Sequence, residues 1–462
     1  MFTGPCLPEL DLTLPVGGRL VFVSDLHLRA DRRPGDFQAS RELIELLGSL
    51  REHPGPALLV LGGDIVDLAT ADGGTPPAEL AAGALARPEA QAVAAALREL
   101  AARSGATVVY LVGNHDAAVA WDGEARGLVG AAFGVHQMAV RLRVAVQVAG
   151  GRELRVVAEH GHGLSSGTPA GADPFDPVAS AVVEAPADVL IAEVVKRLGA
   201  AGERYPDLAL GQIDSVRPAA MMPWWIVSNF FYRFVERALR RSALPALGIL
   251  AVLLVPALVL GLYLSDSLRD LLDFSGRALR WGTAFLALEL PLVALLTTFL
   301  GRSLERAGDA YGVPSPHKAS AKQAVRQARA PSVLTRLDPD AHVLLVGHSH
   351  QPMLATAPDG RVVVDAGCWV RNLIAVRAWL GLPPVFAPDY TCSWAELAPT
   401  PTSTQVTLWQ RRLAIPTHPT LLQRLVAHHP LPPRTATPPT VVACASASLA
   451  LPVEQLTPDE VA

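Results

Sequence analysis

Four short apolar runs constrain what this chain can fold into, because each ends within a few residues in a knot of acids, histidines or an asparagine. Residues 20–23 (LVFV) lead to Asp25-Leu26-His27, and 57–61 (ALLVL) to Gly63-Asp64-Ile65-Val66-Asp67. Residues 107–112 (TVVYLV) lead to Gly113-Asn114-His115-Asp116, and 342–346 (HVLLV) to Gly347-His348-Ser349-His350. Runs this short, rich in branched residues and closed by glycine or acid, read as strands buried on both faces. Between them, 39–50 and 87–103 have helical spacing and length. Strands alternating with helices predict an α/β layered sheet, and ligands in such sheets gather beyond the carboxyl ends of the strands. The knots all fall there, and a fifth, His160-Gly161-His162, joins them.

The chemistry follows from the residue types. Carboxylate, imidazole and carboxamide groups suit borderline or hard divalent cations such as manganese, iron, zinc or nickel, and no thiolate stands among them. A shared carboxylate holds two such ions about 3.5 to 4 Å apart, where they clamp phosphoryl oxygens and make hydroxide accessible near neutral pH. The nucleophile is then water, and no covalent serine or cysteine is needed. One such motif alone is weak; five in order are specific.

In this order the clusters resemble the calcineurin-like metallophosphoesterase superfamily, whose pattern is Asp-x-His, Gly-Asp-x-x-Asp, Gly-Asn-His-Asp/Glu, a lone His and Gly-His-x-His. The likeness covers about residues 18–165 and 340–398. It implies a layered β-sandwich flanked by helices. It also implies that Asp25, His27, Asp64 and His350 hold one divalent metal and Asp64, Asn114, His160 and His348 a second, with Asp64 as the bridge. Manganese is the first expectation, with iron, zinc or nickel as alternatives. By the same resemblance His115 protonates the leaving oxygen or binds the phosphate, and Asp67 orients its imidazole, as a catalytic ring generally requires. Residues 361–365 followed by Ala366-Gly367-Cys368-Trp369 also resemble the family's stretch after its last metal motif. His162 is left open between a group on the substrate side and a structural hydrogen bonder. His53, His136, His317, His342, His418, His428 and His429 lack a ligand partner at a telling spacing and read as surface or locally satisfied rings.

A second feature lies between the fifth knot and Gly347. Residues 243–264 (ALPALGILAVLLVPALVLGLYL) carry no charge, enough helix to span a hydrocarbon core of about 30 Å. Residues 281–300 form a weaker run containing Glu289 and Pro291. Together they predict an inserted two-helix transmembrane hairpin, with Glu289 turned to its partner helix or an interface. Two crossings return the chain to the side it left, as a shared site requires. Arg233, Arg237, Arg240 and Arg241 before the first run, and Arg302 and Arg306 after the second, fit the positive-inside rule. The expected location is therefore the inner (cytoplasmic) membrane, with a multi-pass chain and a cytoplasmic catalytic domain. Pro223-Trp224-Trp225-Ile226 and 229–234 (NFFYRF) read as a segment at headgroup level. A long buried hairpin in a soluble protein is the alternative.

These features divide the chain into a first catalytic part (1–222), an interfacial segment and hairpin (223–302), a second catalytic part (303–398) and a Pro/Thr-rich extension (399–462), expected to be partly disordered. Residues 68–86 and 163–177 read as loops, and the alternating 140–148 as a half-exposed strand.

Composition sets limits. With 50% hydrophobic residues and a mean hydropathy of +0.30, the chain exceeds the usual soluble balance. A formal charge of −4 argues against nucleic acid as a partner. Cys6, Cys368, Cys392 and Cys444 have no paired spacing, which predicts neither thiolate site nor disulfide framework and favours a reducing compartment. The amino-terminal residues lack a basic region followed by an apolar run, so no secretory signal is expected.

The expected activity is hydrolysis of a phosphoester or pyrophosphate bond on a lipid or lipid-linked nucleotide at the cytoplasmic membrane face. A phosphorylated small molecule handled by a general phosphodiesterase, or a membrane-tethered metal-binding scaffold without turnover, are the alternatives. The metal pattern is similar to that of bacterial enzymes cleaving UDP-diacylglucosamine in lipid A synthesis. It departs from them in His115, where that branch carries arginine, and in the two added apolar runs. Oligomeric state is not readable.

Overall fold

Alternating burial along the strands sets the layers. Leu20, Phe22, Leu58, Val60, Val109 and Leu111 pack with Leu142, Val144, Val156, Leu345 and Val364 in one apolar cluster. Val21, Val23, Leu59, Leu61 and Val108 pack instead with Leu43, Leu47, Val93, Leu97 and Val129. Successive side chains of a strand point to opposite faces, so this sheet is covered by a second sheet on one side and by helices on the other. The computed structural model describes residues 7–31, 36–69, 74–148, 152–164, 175–176, 181–182, 197, 210–241, 338–357, 359–379, 382–400, 403–415, 419–432 and 435–447.

The first sheet has seven strands, in spatial order Thr440–Ala447, Thr404–Arg412, Thr391–Pro399, Arg19–Val23, Ala57–Gly62, Ala106–Leu111 and Gln137–Ala139. Its last four strands run parallel, and its first three are antiparallel. The second sheet has six, in the order Glu9–Leu14, Arg141–Val148, Arg152–Glu159, Val343–Val346, Val362–Asp365 and Met353–Thr356. Helices α1 (Ser40–Arg51), α2 (Pro77–Leu85), α3 (Pro88–Ala101) and α4 (Gly123–Phe133) contribute the helical layer. The two helices expected at 39–50 and 87–103 are α1 and α3, and the expected half-exposed strand is Arg141–Val148, whose burial alternates.

Two expectations need correction. Part of 68–86, read as loop, is α2: Pro77 occupies its first turn, and Ala78, Ala81 and Ala84 form a buried stripe at helical spacing. The stretch after 399, read as a partly disordered extension, supplies two strands of the seven-stranded sheet, and Val406 and Leu408 are buried in the inter-sheet core. The composition hid a period-two alternation.

A third, small sheet joins Val216–Arg217, Asn372–Val376 and Val385–Asp389. Helix α5 (Met222–Arg241) lies on it. Trp224 and Trp225, expected at headgroup level, are only 7% and 4% exposed and pack with Ile213, Leu373 and Phe386. Ser228 Oγ and Tyr232 Oη then donate to Pro384 O and Pro383 O at 2.6 and 2.7 Å. These two tryptophans are therefore core residues. Among the described residues no helix is long and apolar enough to cross a membrane. The runs 243–264 and 281–300 lie outside the described residues.

Candidate metal centre

Every predicted site residue sits just past the carboxyl end of a strand. Asp25 and His27 follow Arg19–Val23, Asp64 and Asp67 follow Ala57–Gly62, Asn114 and His115 follow Ala106–Leu111, His160 follows Arg152–Glu159, and His348 and His350 follow Val343–Val346. The loops are stitched together by backbone bonds from Asp25 N to Gly63 O (3.0 Å) and from His27 N to Asp64 O (2.9 Å). Asp25, His27, Asp64, His348 and His350 all adopt positive φ, between 47° and 68°. For L-residues this conformation costs about 1–2 kcal/mol each, and such strain gathers where side chains must be aimed. A Cβ on Gly113 would overlap Asp64 Oδ1, and one on Gly347 would overlap Ser24 Oγ and Asp25 Oδ2. Only glycine lets these loops approach the carboxylates.

The aimed atoms converge in two groups. In the first, Asp25 Oδ1 lies 3.1 Å from His350 Nε2 and 3.8 Å from His27 Nε2, and the two imidazole nitrogens are 3.1 Å apart. In the second, His160 Nε2 lies 3.2 Å from Asp64 Oδ2 and 3.1 Å from Asn114 Oδ1, which is 3.2 Å from His348 Nδ1. Asp64 Oδ2 also lies 3.8 Å from His27 Nε2, so Asp64 borders both groups. Among the described residues, three sets satisfy the spacing of a shared cation: Asp25, His27 and His350; Asp64, His160 and His348; and His27, Asp64 and His115.

The donor set fits divalent metal. All its atoms are oxygen or imidazole nitrogen. The outward atom of each carboxylate is already engaged: Asp25 Oδ2 accepts from His348 N at 3.0 Å, and Asp64 Oδ1 from His115 N at 2.8 Å. Asp25 Oδ1 is buried with no well-aligned hydrogen bond, although burying an oxygen without a partner is costly. His160 Nδ1 donates to Gly62 O at 2.9 Å, which turns the Nε2 edge of its ring toward the group.

Burial raises the carboxyl groups and lowers the imidazoles, and local charges then decide. Burial opposes ionisation of Asp25, yet the facing His27 and His350 rings hold it well below the usual carboxylate range. His160 and His115 hold Asp64 low in the same way. Burial pulls His27 and His160 down, but the facing carboxylates outweigh it and raise them to about 9 and about 10. His348 is pushed well down by burial and by His160, and His350 to about 3 by burial and the Arg217 guanidinium. Two of the four rings thus offer a neutral nitrogen, and two would exchange a proton for a cation.

His115 stands at the open side. Its side chain is 37% exposed, and Nδ1 lies 3.2 Å from Asp67 Oδ1. Burial lowers its pKa, but Asp67 and Asp64 more than offset this and raise it. Asp67 also approaches His27 Nδ1 at 3.6 Å and pairs with the Arg29 guanidinium, Nη2 at 3.1 Å. Asp116 belongs to the scaffold. It accepts from Tyr110 Oη at 2.6 Å, Ile65 N at 2.9 Å and Gly113 N at 2.5 Å, and burial with the nearby Asp64 charge pushes it up to about 6. Asp365 likewise accepts from Ser349 Oγ and Gly367 N, bracing the Gly347–His350 turn. His162 is buried, with its ring edge-on to Phe175 at 4.9 Å and 5.6 Å from His160.

Sequence reasoning missed Arg29, Asp214 and Arg217. Arg29 Nη1 donates to Asp214 Oδ2 at 3.2 Å, and Arg217 Nη2 donates to His350 Nδ1 at 2.9 Å. No motif surrounds Asp214 or Arg217, and their partners lie far away along the chain. Of the histidines read as bystanders, His53 meets Gly17 O, His136 accepts from Val108 N and His342 from Arg155 N. His317 and His418 lie outside the described residues.

Comparison with family models matches residues 18–199 to the calcineurin-like phosphoesterases. Searches of curated proteins and of solved structures returned no match. The matched stretch carries Asp25 to His160, and the fold brings His348 and His350 to it from beyond its end. Residues 18–199 thus match a calcineurin-like phosphoesterase domain, and the chain brings buried histidine and aspartate groups suited to divalent metal together at its strand ends.

Proposed function

We propose that the chain hydrolyses a phosphoester or pyrophosphate bond at a two-metal centre, with Asp25, His27, Asp64 and His350 around one cation and Asp64, Asn114, His160 and His348 around the other. The observation that carries this reading is the convergence of both donor groups on Asp64. Two divalent cations, manganese first, would supply Lewis acidity toward phosphoryl oxygens and hydroxide near neutral pH when bound there. The chain's own part is to aim and to move protons. Asp64 Oδ2 faces both groups while its Oδ1 is tied to His115 N. His115, held protonated by Asp67, gives its proton to the departing oxygen from the open side.

The substrate we favour is a lipid or lipid-linked nucleotide at the cytoplasmic membrane face. Its support is the length and charge-free character of 243–264, the second run at 281–300 and the flanking arginines. Manganese-loaded protein should hydrolyse bis-(p-nitrophenyl) phosphate, and Asp64→Asn should abolish the activity while His115→Ala lowers it about 100-fold. No turnover by the wild type with any of manganese, iron, zinc or nickel would overturn the enzyme mechanism. Carbonate extraction tests the hairpin: the chain should stay in the membrane pellet, and release into the supernatant would contradict insertion.

A further inference from the structure

Helix α6 (Leu421–Val426) is well capped and poorly covered. A capping box closes its first turn, with Gln423 N donating to Thr420 Oγ1 at 3.3 Å and Thr420 N to Gln423 Oε1 at 2.8 Å. Six residues are too few to hold a helix in water without a packed apolar face. Yet none of its side chains is buried among the described residues. Leu421 and Leu425, one turn apart on the same face, are 74% and 70% exposed.

Two neighbours share the condition. An isolated bridge pairs Ala427 with Ala378, and His428 N donates to Arg377 O at 2.8 Å. The His428 ring lies 3.9 Å from that of Trp379, whose indole is still 51% exposed. Helix α6 also lies beside α5. The buried stripe of α5, formed by Trp224, Trp225, Ser228 and Tyr232, is turned to the third sheet and the carbonyls of Pro383 and Pro384. Its other side is no more polar, since Val227 and Phe231 are half-buried and Phe230 is 45% exposed. A helix apolar on both sides needs cover on both.

The charge around these side chains is of one sign. Residues 397–453 contain no aspartate or glutamate, and neither do 371–388. Arg377 and Arg424 are exposed and, among the described residues, meet no carboxylate. Exposed leucine and tryptophan beside arginines without acids are the composition of a surface seated in an anionic headgroup layer. The chain points to the same partner. Helix α5 runs about 14 Å beyond Tyr232 to Arg241, and the charge-free stretch 243–264 begins two residues later. We propose that Leu421, Leu425, Trp379 and Phe230 form a surface that seats on anionic phospholipid, with Arg377 and Arg424 against the headgroups. This deepens the membrane reading above and rests on it. The third sheet ties the surface to the metal centre, because Arg217 on its edge strand meets His350, so docking sets the height of the centre above the lipid.

The test reads where the surface sits. Full-length chain carrying Cys6→Ser and Cys444→Ser, with the buried Cys368 and Cys392 kept, receives Leu425→Cys labelled with nitrobenzoxadiazole. Leu128→Cys on α4, where the leucine is 37% exposed, is the control. Each protein is floated with vesicles of phosphatidylcholine and phosphatidylglycerol, and quenching by doxyl lipid is compared with quenching by aqueous iodide in the floated fraction. Lipid should quench the label at 425 at least about twofold more than the label at 128, and iodide should reach it less. Arg377→Gln together with Arg424→Gln should lower the ratio of lipid to iodide quenching at 425 by at least about fivefold, the worth of one basic residue at an anionic surface. An unchanged ratio would overturn the role given to anionic headgroups. Protein that floats while the label at 425 stays open to iodide and untouched by doxyl lipid would overturn the docking surface and leave the membrane reading standing. Shielding from both quenchers would overturn it too, because a second copy or another segment of this chain then covers the face. If the chain floats with no vesicle, the membrane reading itself fails. Should Leu425→Cys not fold, Leu421→Cys reads the same face.

Discussion

The two donor groups on either side of Asp64 are supported differently. The Asn114–His160–His348 group draws its orientation from the strand ends themselves: Gly62 O accepts from His160 Nδ1, and Asn114 Oδ1 sits between two rings. The Asp25–His27–His350 group is bordered by side chains from elsewhere. Arg29 bridges Asp67 to Asp214, and Arg217 reaches His350 from the edge strand of the small third sheet. One group is oriented by the strand ends alone, while the other also answers to residues 214–217, late in the first catalytic part. Anything that moves these residues acts on one donor group and spares the other.

The largest expected effect erases the distinction. Asp64→Ala removes the carboxylate common to both groups, so manganese content falls at both positions and hydrolysis drops by more than about 100-fold, beyond the usual cost of an outer partner. Atomic emission beside a bis-(p-nitrophenyl) phosphate assay checks it, and retention of either ion would break the bridging role. Next, His115→Ala should lower kcat about 100-fold with metal content intact. An alkyl phosphoester should suffer more than a nitrophenyl ester, because the poorer leaving group needs the proton. Equal losses on both esters would argue for phosphate binding by His115. A smaller effect separates the groups directly. Asp214→Ala frees Arg29 and should weaken one manganese position about tenfold while the other is unchanged. Calorimetry resolving two unequal sites tests this, and equal weakening at both would remove the contrast.

The smallest effect concerns pH. In protein stripped of cations by chelator, His27 and His160 have folded pKa values of about 9 and about 10, above the ordinary 6.5. A raised folded pKa stabilises fully below the unfolded value and is lost as pH rises through the folded one. The Tm of stripped protein should therefore fall between about pH 6.5 and 10. Asp25 and Asp67 are depressed, so their contribution is present above about 4 and lost on acidification. Manganese competes with the two histidine protons, and its stabilising shift in Tm should grow from pH 6 to 9. A shift independent of pH would mean that neither proton is displaced.

What was legible in the sequence was the crest. Short apolar runs ending in rare residue types mark strand ends, and their order along the chain marks a family. The backbone that aims them was not: nothing in Asp25 or His348 announces a left-handed φ, because the strain is imposed by loops meeting in space. Trp224 and Trp225 beside arginines read as a lipid boundary since their true cover, Leu373 and Phe386, lies some 150 residues on. Helix α2 was lost in alanine and glycine, and the late strands in proline and threonine. Arg217 illustrates the general limit, because its meaning depends on one distant ring.

The strand Arg19–Val23 pairs with Ala57–Gly62 on one side and Thr391–Pro399 on the other. A ribosome that has finished residues 18–199 has therefore made the whole family-matched stretch, yet neither His348, His350 nor the last three strands exist. The nascent chain meanwhile carries an open sheet edge, the kind of surface that invites mispairing. Translation past residue 399 closes that edge after the final donors have been delivered, and a chain stalled before residue 348 holds an incomplete cradle.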